Sequence, residues 1–174
     1  MLQHQWRVTK YDPALRTSTG LFTGDEWILF SQLGSTIDSE LLTPERYLWA
    51  EDRYVDAVER FLAASEIEAL MIEGLQTGSY KPNDVDRLGL RSIPVAEGQV
   101  LSATGEIGHV CRLNLREHLW CRLQAEGAFF VHFGWDYYMF VGSSRPCEDA
   151  IAETIAAGLF VEPAISPYHN DAED

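Results

Sequence analysis

The stretch FFVHFGWDYYMFVGS, residues 129–143, surrounds a single His and a single Asp with Phe, Val, Trp, Tyr and Met. Gly134-Trp135 fits a two-residue type II′ turn, which takes Gly at its first central position. The stretch is therefore predicted to be a hairpin in which Phe133 faces Asp136 and His132 faces Tyr137. In that register one face carries Phe130, His132, Tyr137 and Met139, and the other carries Phe129, Val131, Phe133, Asp136, Tyr138 and Phe140. Both faces are too apolar for water. Such a ribbon belongs in the interior of a sheet, with its second face covered by the chain itself or by a partner. A homo-oligomer, in the simplest case a homodimer, that uses this face is one expectation.

The rest of the 174-residue chain supplies the sheet and its cover. WRVTKYD (6–12) and EWILFSQL (26–33) read as strands joined by a turn over 13–20, an opening hairpin. Residues 43–65 form the clearest helix: Thr43 fits the N-cap, Pro44 the first helical position, and Tyr47, Ala50, Tyr54, Val58, Phe61 and Leu62 recur at helical spacing. Residues 68–75 and 91–102 read as strands, the second weakened by Pro94 and Gly98. Residues 104–124 read as one long helix with Cys111 and Cys121 both on it. The rise between them would be ~15 Å, beyond the roughly 7 Å that a disulfide spans. Residues 145–158 form a third helix and 159–166 a last strand. Residues 76–89 read as an exposed loop and 167–174 as a frayed acidic tail. The order implies a single α+β domain over 1–174, with a mixed, mostly antiparallel sheet of about six or seven strands and three helices mainly on one face.

Charge narrows function. The formal net charge is −14; residues 36–73 carry 10 acidic and 3 basic side chains, and residues 143–174 carry 7 and 1. A surface polarised in this way repels phosphate backbones and anionic bilayers and attracts cations, so neither nucleic acid nor membrane is an expected partner. The N-terminus lacks the apolar core of a signal peptide, and no stretch reaches the roughly 18 uninterrupted apolar residues of a spanning helix. Three cysteines suit a reducing compartment, so the expected location is cytoplasmic.

Catalytic signatures are sparse. A cofactor-independent hydrolase or nuclease would use His132 as general base, Asp136 as its orienting group and Arg116 as anion stabiliser. Cys147, near a helix start, is the one thiol placed for activation, whereas Cys111 and Cys121 fall among apolar residues. His118 and Cys121 stand three apart, but no second pair at ligand spacing accompanies them, and ATGEIG (103–108) lacks the Lys of a phosphate loop. No metal and no cofactor is expected. Arg116 and Arg122 in REHLWCR are expected to pair internally with the acidic helix or, failing that, to line a pocket for an anionic group.

In this gross character (acidic, α+β, rich in aromatics and poor in catalytic motifs) the chain resembles bacterial toxin-immunity proteins. The resemblance implies an inhibitor that neutralises a basic protein such as a nuclease toxin. Glu51, Asp52, Asp56 and Glu59 on the 43–65 helix would steer the partner, Trp49, Tyr80 and Trp135 would anchor it, and Asp136 would join them.

Overall fold

The computed structural model describes residues 2–19, 21–77, 88–91, 93–102 and 104–169, the side chains of Thr104 and Trp135 excepted. Most of the 76–89 stretch, with Tyr80, and the last five residues lie outside them. Nine strands and three helices occur among the described residues. They are β1 (His4–Thr9), β2 (Thr36–Ile37), β3 (Glu40–Leu41), α1 (Pro44–Ser65), β4 (Leu70–Thr77), β5 (Val100–Leu101), α2 (Thr104–Leu115), β6 (Leu119–Ala125), β7 (Phe129–Phe133), β8 (Met139–Ser143), α3 (Glu148–Ala156) and β9 (Phe160–Pro163). Seven strands form one sheet in the order β5-β4-β6-β7-β8-β1-β9, and every pairing is antiparallel. The fold is α+β, with the helices packed on a sheet.

The 129–143 ribbon lies at the centre of that sheet, as two apolar faces require. Val131, Phe133, Met139 and Val141 turn toward the helices and join the main core with Tyr54, Val58, Phe61, Val110 and Leu113. Phe130, His132 and Phe140 turn the other way and are also buried. The turn is longer than two residues, so Phe133 pairs with Met139 and His132 with Phe140. This replaces the predicted pairings with Asp136 and Tyr137. Gly142 lies beneath the Phe130 ring; a Cβ there would stand 2.0 Å from it, so only Gly permits this packing.

α1 begins as its sequence demands: the Thr43 hydroxyl accepts from the Arg46 N–H, and Pro44 fills the first position. The predicted strand over 26–33 does not form. Trp27, Phe30 and Leu33 are buried at a spacing of three, not the two that a strand needs, and residues 30–32 make a 3-10 turn. β1 has no free side for that segment, because it is already flanked by β8 and β9. The expected hairpin partner of β1 is therefore replaced by two distant strands. Among the described residues of 91–102 only Val100–Leu101 is strand.

The predicted helix over 104–124 is two elements. α2 stops at Leu115, Glu117 takes a left-handed φ of 57°, and the chain reverses into β6. Leu115, Leu119 and Leu123 mimic a helical stripe at four-residue spacing, but from residue 119 onward burial alternates with period two, which is the strand signal. Asn114 pins the junction: its Oδ1 accepts from the Cys121 N–H at 3.0 Å while its Nδ2 donates to the Val110 carbonyl. Cys111 and Cys121 thus lie on different elements and are free thiols.

A buried polar cluster ties α1, α2 and the β7–β8 turn together. Glu51, fully buried, receives the Arg116 guanidinium in two bonds of 2.6 and 2.8 Å, and Arg112 adds a third at 2.8 Å. The Tyr47 hydroxyl donates to the same carboxylate at 2.9 Å. The Tyr137 hydroxyl stands 2.9 Å from that of Tyr47 and donates to the Leu115 carbonyl, one of the orphan acceptors at the end of α2. The expected pairing of Arg116 with the acidic helix is therefore present. Glu51, expected on the partner-facing surface, is instead an interior counter-ion. Removing one member leaves the other charge buried: Arg116→Met or Glu51→Gln is expected to destabilise the fold by about 3 kcal/mol or more, and the double variant Glu51→Leu/Arg116→Met by less than either. Urea denaturation of the three variants measures this.

Candidate functional site

The second face of the sheet is covered by the chain's own C-terminal segment. The Ala164 N–H donates to the Gln5 carbonyl, the Ser166 N–H donates to Gln5 Oε1, and Ser166 Oγ lies 2.8 Å from His132 Nδ1. Arg122 donates to the Tyr168 carbonyl at 3.1 Å, Tyr168 packs against Trp120 and Phe140, and the His169 ring meets Phe130 edge-on. Tyr168 and His169, expected in a frayed tail, are thus packed, while Pro167 is exposed, and no homo-oligomeric partner is needed to hide Phe130 and Phe140.

This arrangement separates the three residues of the hydrolase reading. His132 is buried on the C-terminal side, stacked on Phe130, with Nε2 lacking a hydrogen-bond partner among the described residues. Burial, with smaller contributions from His169 and Arg122, lowers its pKa to about 3, which makes it a feeble base. Arg116 lies on the helix side, held by Glu51. Asp136 sits exposed at the end of the sheet.

At that end two turns face one another. In the β7–β8 turn the Gly134 N–H donates to the Tyr138 carbonyl at 2.6 Å, and Asp136 and Tyr137 are both left-handed, with φ of 59° and 61°. Two consecutive non-Gly residues in that region are strained by ~1 kcal/mol each or more. The conformation is held from below: Tyr54 donates to the Tyr137 carbonyl at 2.7 Å, and the Tyr137 ring is boxed in by Trp27, Tyr47 and Tyr54. The α2–β6 turn, with left-handed Glu117, stands opposite. Between them opens a cavity of about 230 Å³ walled by Leu119, Trp120, Phe133, Tyr137, Tyr138 and Met139. Gln76 and Thr77, expected in a loop, are the end of β4 and also line it.

The helical face is the second candidate surface. Trp49 is 48% exposed on α1, with the Arg53 guanidinium 3.6 Å from its ring centroid. Arg53 also donates to the Ala157 carbonyl at the end of α3. Asp52 and Asp56 are exposed beside it, but both are paired, Asp52 with Arg112 at 2.8 Å and Asp56 with Arg60 at 4.0 Å. Glu59 is half-buried. Trp135 opens the β7–β8 turn, but its side chain lies outside the described residues, as does Tyr80.

Cys147 caps α3, but its thiol is buried between Ser65 and the Arg145 carbonyl. No group of three or more His, Cys, Asp or Glu that could hold a metal occurs among the described residues, and none of their helices is long and apolar enough to cross a membrane. No family model, curated protein or solved structure matches the chain. Sequence reasoning missed Glu117, Trp120 and Tyr137 as lining residues. Only the tyrosine and glutamate four apart at 47 and 51, facing one way on a helix, hinted at the cluster beneath them.

His132 makes the C-terminal cover pH-sensitive. Its folded pKa lies below the ordinary 6.5, so its contribution to stability is fully present above pH 6.5 and is lost as pH falls toward 3. Between those limits the wild type is expected to take up about one more proton on unfolding than His132→Gln does. Urea midpoints of the two proteins across that range measure the difference.

Proposed function

We propose that this chain is a protein-binding module of the immunity or inhibitor type, which receives a basic protein such as a nuclease toxin on its helical layer. The observation that carries the reading is Trp49: a large aromatic ring left half in water on an otherwise well-packed helix, and held in one orientation by Arg53. Tryptophan in such a position has the properties of an interface anchor, with large area and little entropy to lose. α1 and α3 together carry eight carboxylates against three arginines. Internal pairing of Asp52 and Asp56 moderates their field, and Glu51 drops out of it, but the excess remains negative and favours a cationic partner. Three buried free thiols suit the cytoplasmic setting that this reading implies. The hydrolase alternative has no comparable support, since its three residues occupy different sides and the end of the sheet.

The test is kinetic. Against a basic nuclease partner encoded beside the chain, association is expected to slow steeply as salt rises. Trp49→Ala is expected to weaken binding by about 2 kcal/mol, mainly through faster dissociation. Surface plasmon resonance at low and high salt reads both. Salt-independent association, or full affinity in Trp49→Ala, would overturn the reading.

A further inference from the structure

We infer that the cavity between the β7–β8 and α2–β6 turns is a binding site for a compact organic cation, an ammonium or guanidinium group on a small apolar body. The inference concerns a different place from the helical face and does not depend on it.

The chemistry follows from which polar groups of the wall are already engaged. The Trp120 indole N–H donates to the Phe133 carbonyl at 2.7 Å, which also fixes the plane of the ring. The Asn114 amide is occupied by Val110, Cys121 and its sulfur. The Tyr137 hydroxyl is committed to Leu115 and Tyr47. An occupant therefore finds aromatic and aliphatic surface but few donors in the deep wall. The remaining polar lining is Gln76, Thr77 and two carboxylates, Glu117 and Asp136; no ion pair to Asp136 occurs among the described residues. No Lys, Arg or His lines the cavity, and the nearby Arg112 and Arg116 are held by Glu51.

An anion would meet repulsion there, and a neutral polar molecule would leave its acceptors unmatched in the deep wall. A cation with an apolar body meets the aromatic wall and a carboxylate. The chain already houses one cation in this way. Lys10 Nζ lies 4.2 and 4.1 Å from the ring centroids of Tyr11 and Trp27 and 3.0 Å from Glu26. The left-handed turn has a role in this account: Asp136 at φ 59° places its carboxylate at the mouth instead of in a hairpin pair.

Benzylammonium, benzyl alcohol and benzoate share one body and differ in charge, so their titration into the full chain, followed by the NMR shifts of the Trp120 indole N–H and the Gly134 amide, tests the site. Benzylammonium is expected to bind about tenfold more tightly than benzyl alcohol, and benzoate not measurably. Asp136→Asn keeps a residue that tolerates the left-handed backbone, and is expected to abolish the difference between cation and alcohol. Thr77→Trp, at the exposed rim, is expected to block all three. A blocked arginine amide, free and then within a short peptide, separates a free metabolite from a partner's side chain as the source of the cation. Equal affinity for cation and alcohol in the wild type, tighter binding of benzoate, or a cation preference that survives Asp136→Asn would overturn the inference. None of these outcomes depends on whether a basic protein docks on Trp49.

Discussion

The structure depends on a carboxylate and a guanidinium brought out of water together. Glu51 and Arg116 meet in two bonds at the junction of α1, the end of α2 and the β7–β8 turn, and each would be strongly unfavourable alone. Arg112 and Tyr47 complete the ligation of the carboxylate, and the Arg116 guanidinium also lies over the rings of Phe30 and Tyr47. Replacement of such a pair by hydrocarbon often leaves stability unchanged or higher, so its contribution here is to specificity of arrangement. It ties the last turn of α2 to α1, because Arg112 and Arg116, four residues apart on one side of that turn, both reach Glu51. Through Tyr47 and Tyr137 it also fixes the strained turn that shapes the cavity.

Those dependencies explain what could be read from the sequence. α1 was legible to its cap, because Thr43, Pro44 and a helical apolar stripe all agree. The central place of the 129–143 ribbon was legible from its two apolar faces. The end of α2 was not, because Leu115, Leu119 and Leu123 satisfy a helical period while belonging to two elements. The segment 26–33 misled in a similar way: its apolar residues are real core anchors, but their burial comes from packing under α1, with no ladder. The turn at 134–138 was misjudged by length, since the Gly-Trp pair fits a tight turn locally and the phenol contacts that hold the longer one come from α1, about eighty residues earlier.

Among the candidate site residues, the sequence showed types and not placement. His132, Asp136 and Arg116 are the right kinds of group for acid–base chemistry, yet strand alternation sends His132 to the C-terminal side, the buried pair takes Arg116, and Asp136 is exposed at the end of the sheet. Glu51 was assigned to the acidic surface because a carboxylate on a helix is usually solvated, and the one local sign setting it apart from Asp52 was Tyr47 four residues earlier. The apolar second face of the ribbon suggested a partner, but the chain's own residues 164–169 provide the cover. Among the described residues, the features that bear on recognition are the half-exposed Trp49 near acidic side chains on one surface, and an aromatic cavity with carboxylates in its lining at the end of the sheet.

The central claim is that the ion pair beneath α1 and the strained turn above it are one cooperative unit. A double-mutant cycle on Glu51→Gln and Tyr137→Phe, read by equilibrium urea unfolding, measures that coupling directly. An interaction energy of about 1 kcal/mol or more is expected, together with faster amide exchange at residues 134–138 in the Glu51 variant. Additive effects of the two substitutions, with the turn's exchange unchanged when Glu51 is neutralised, would contradict it.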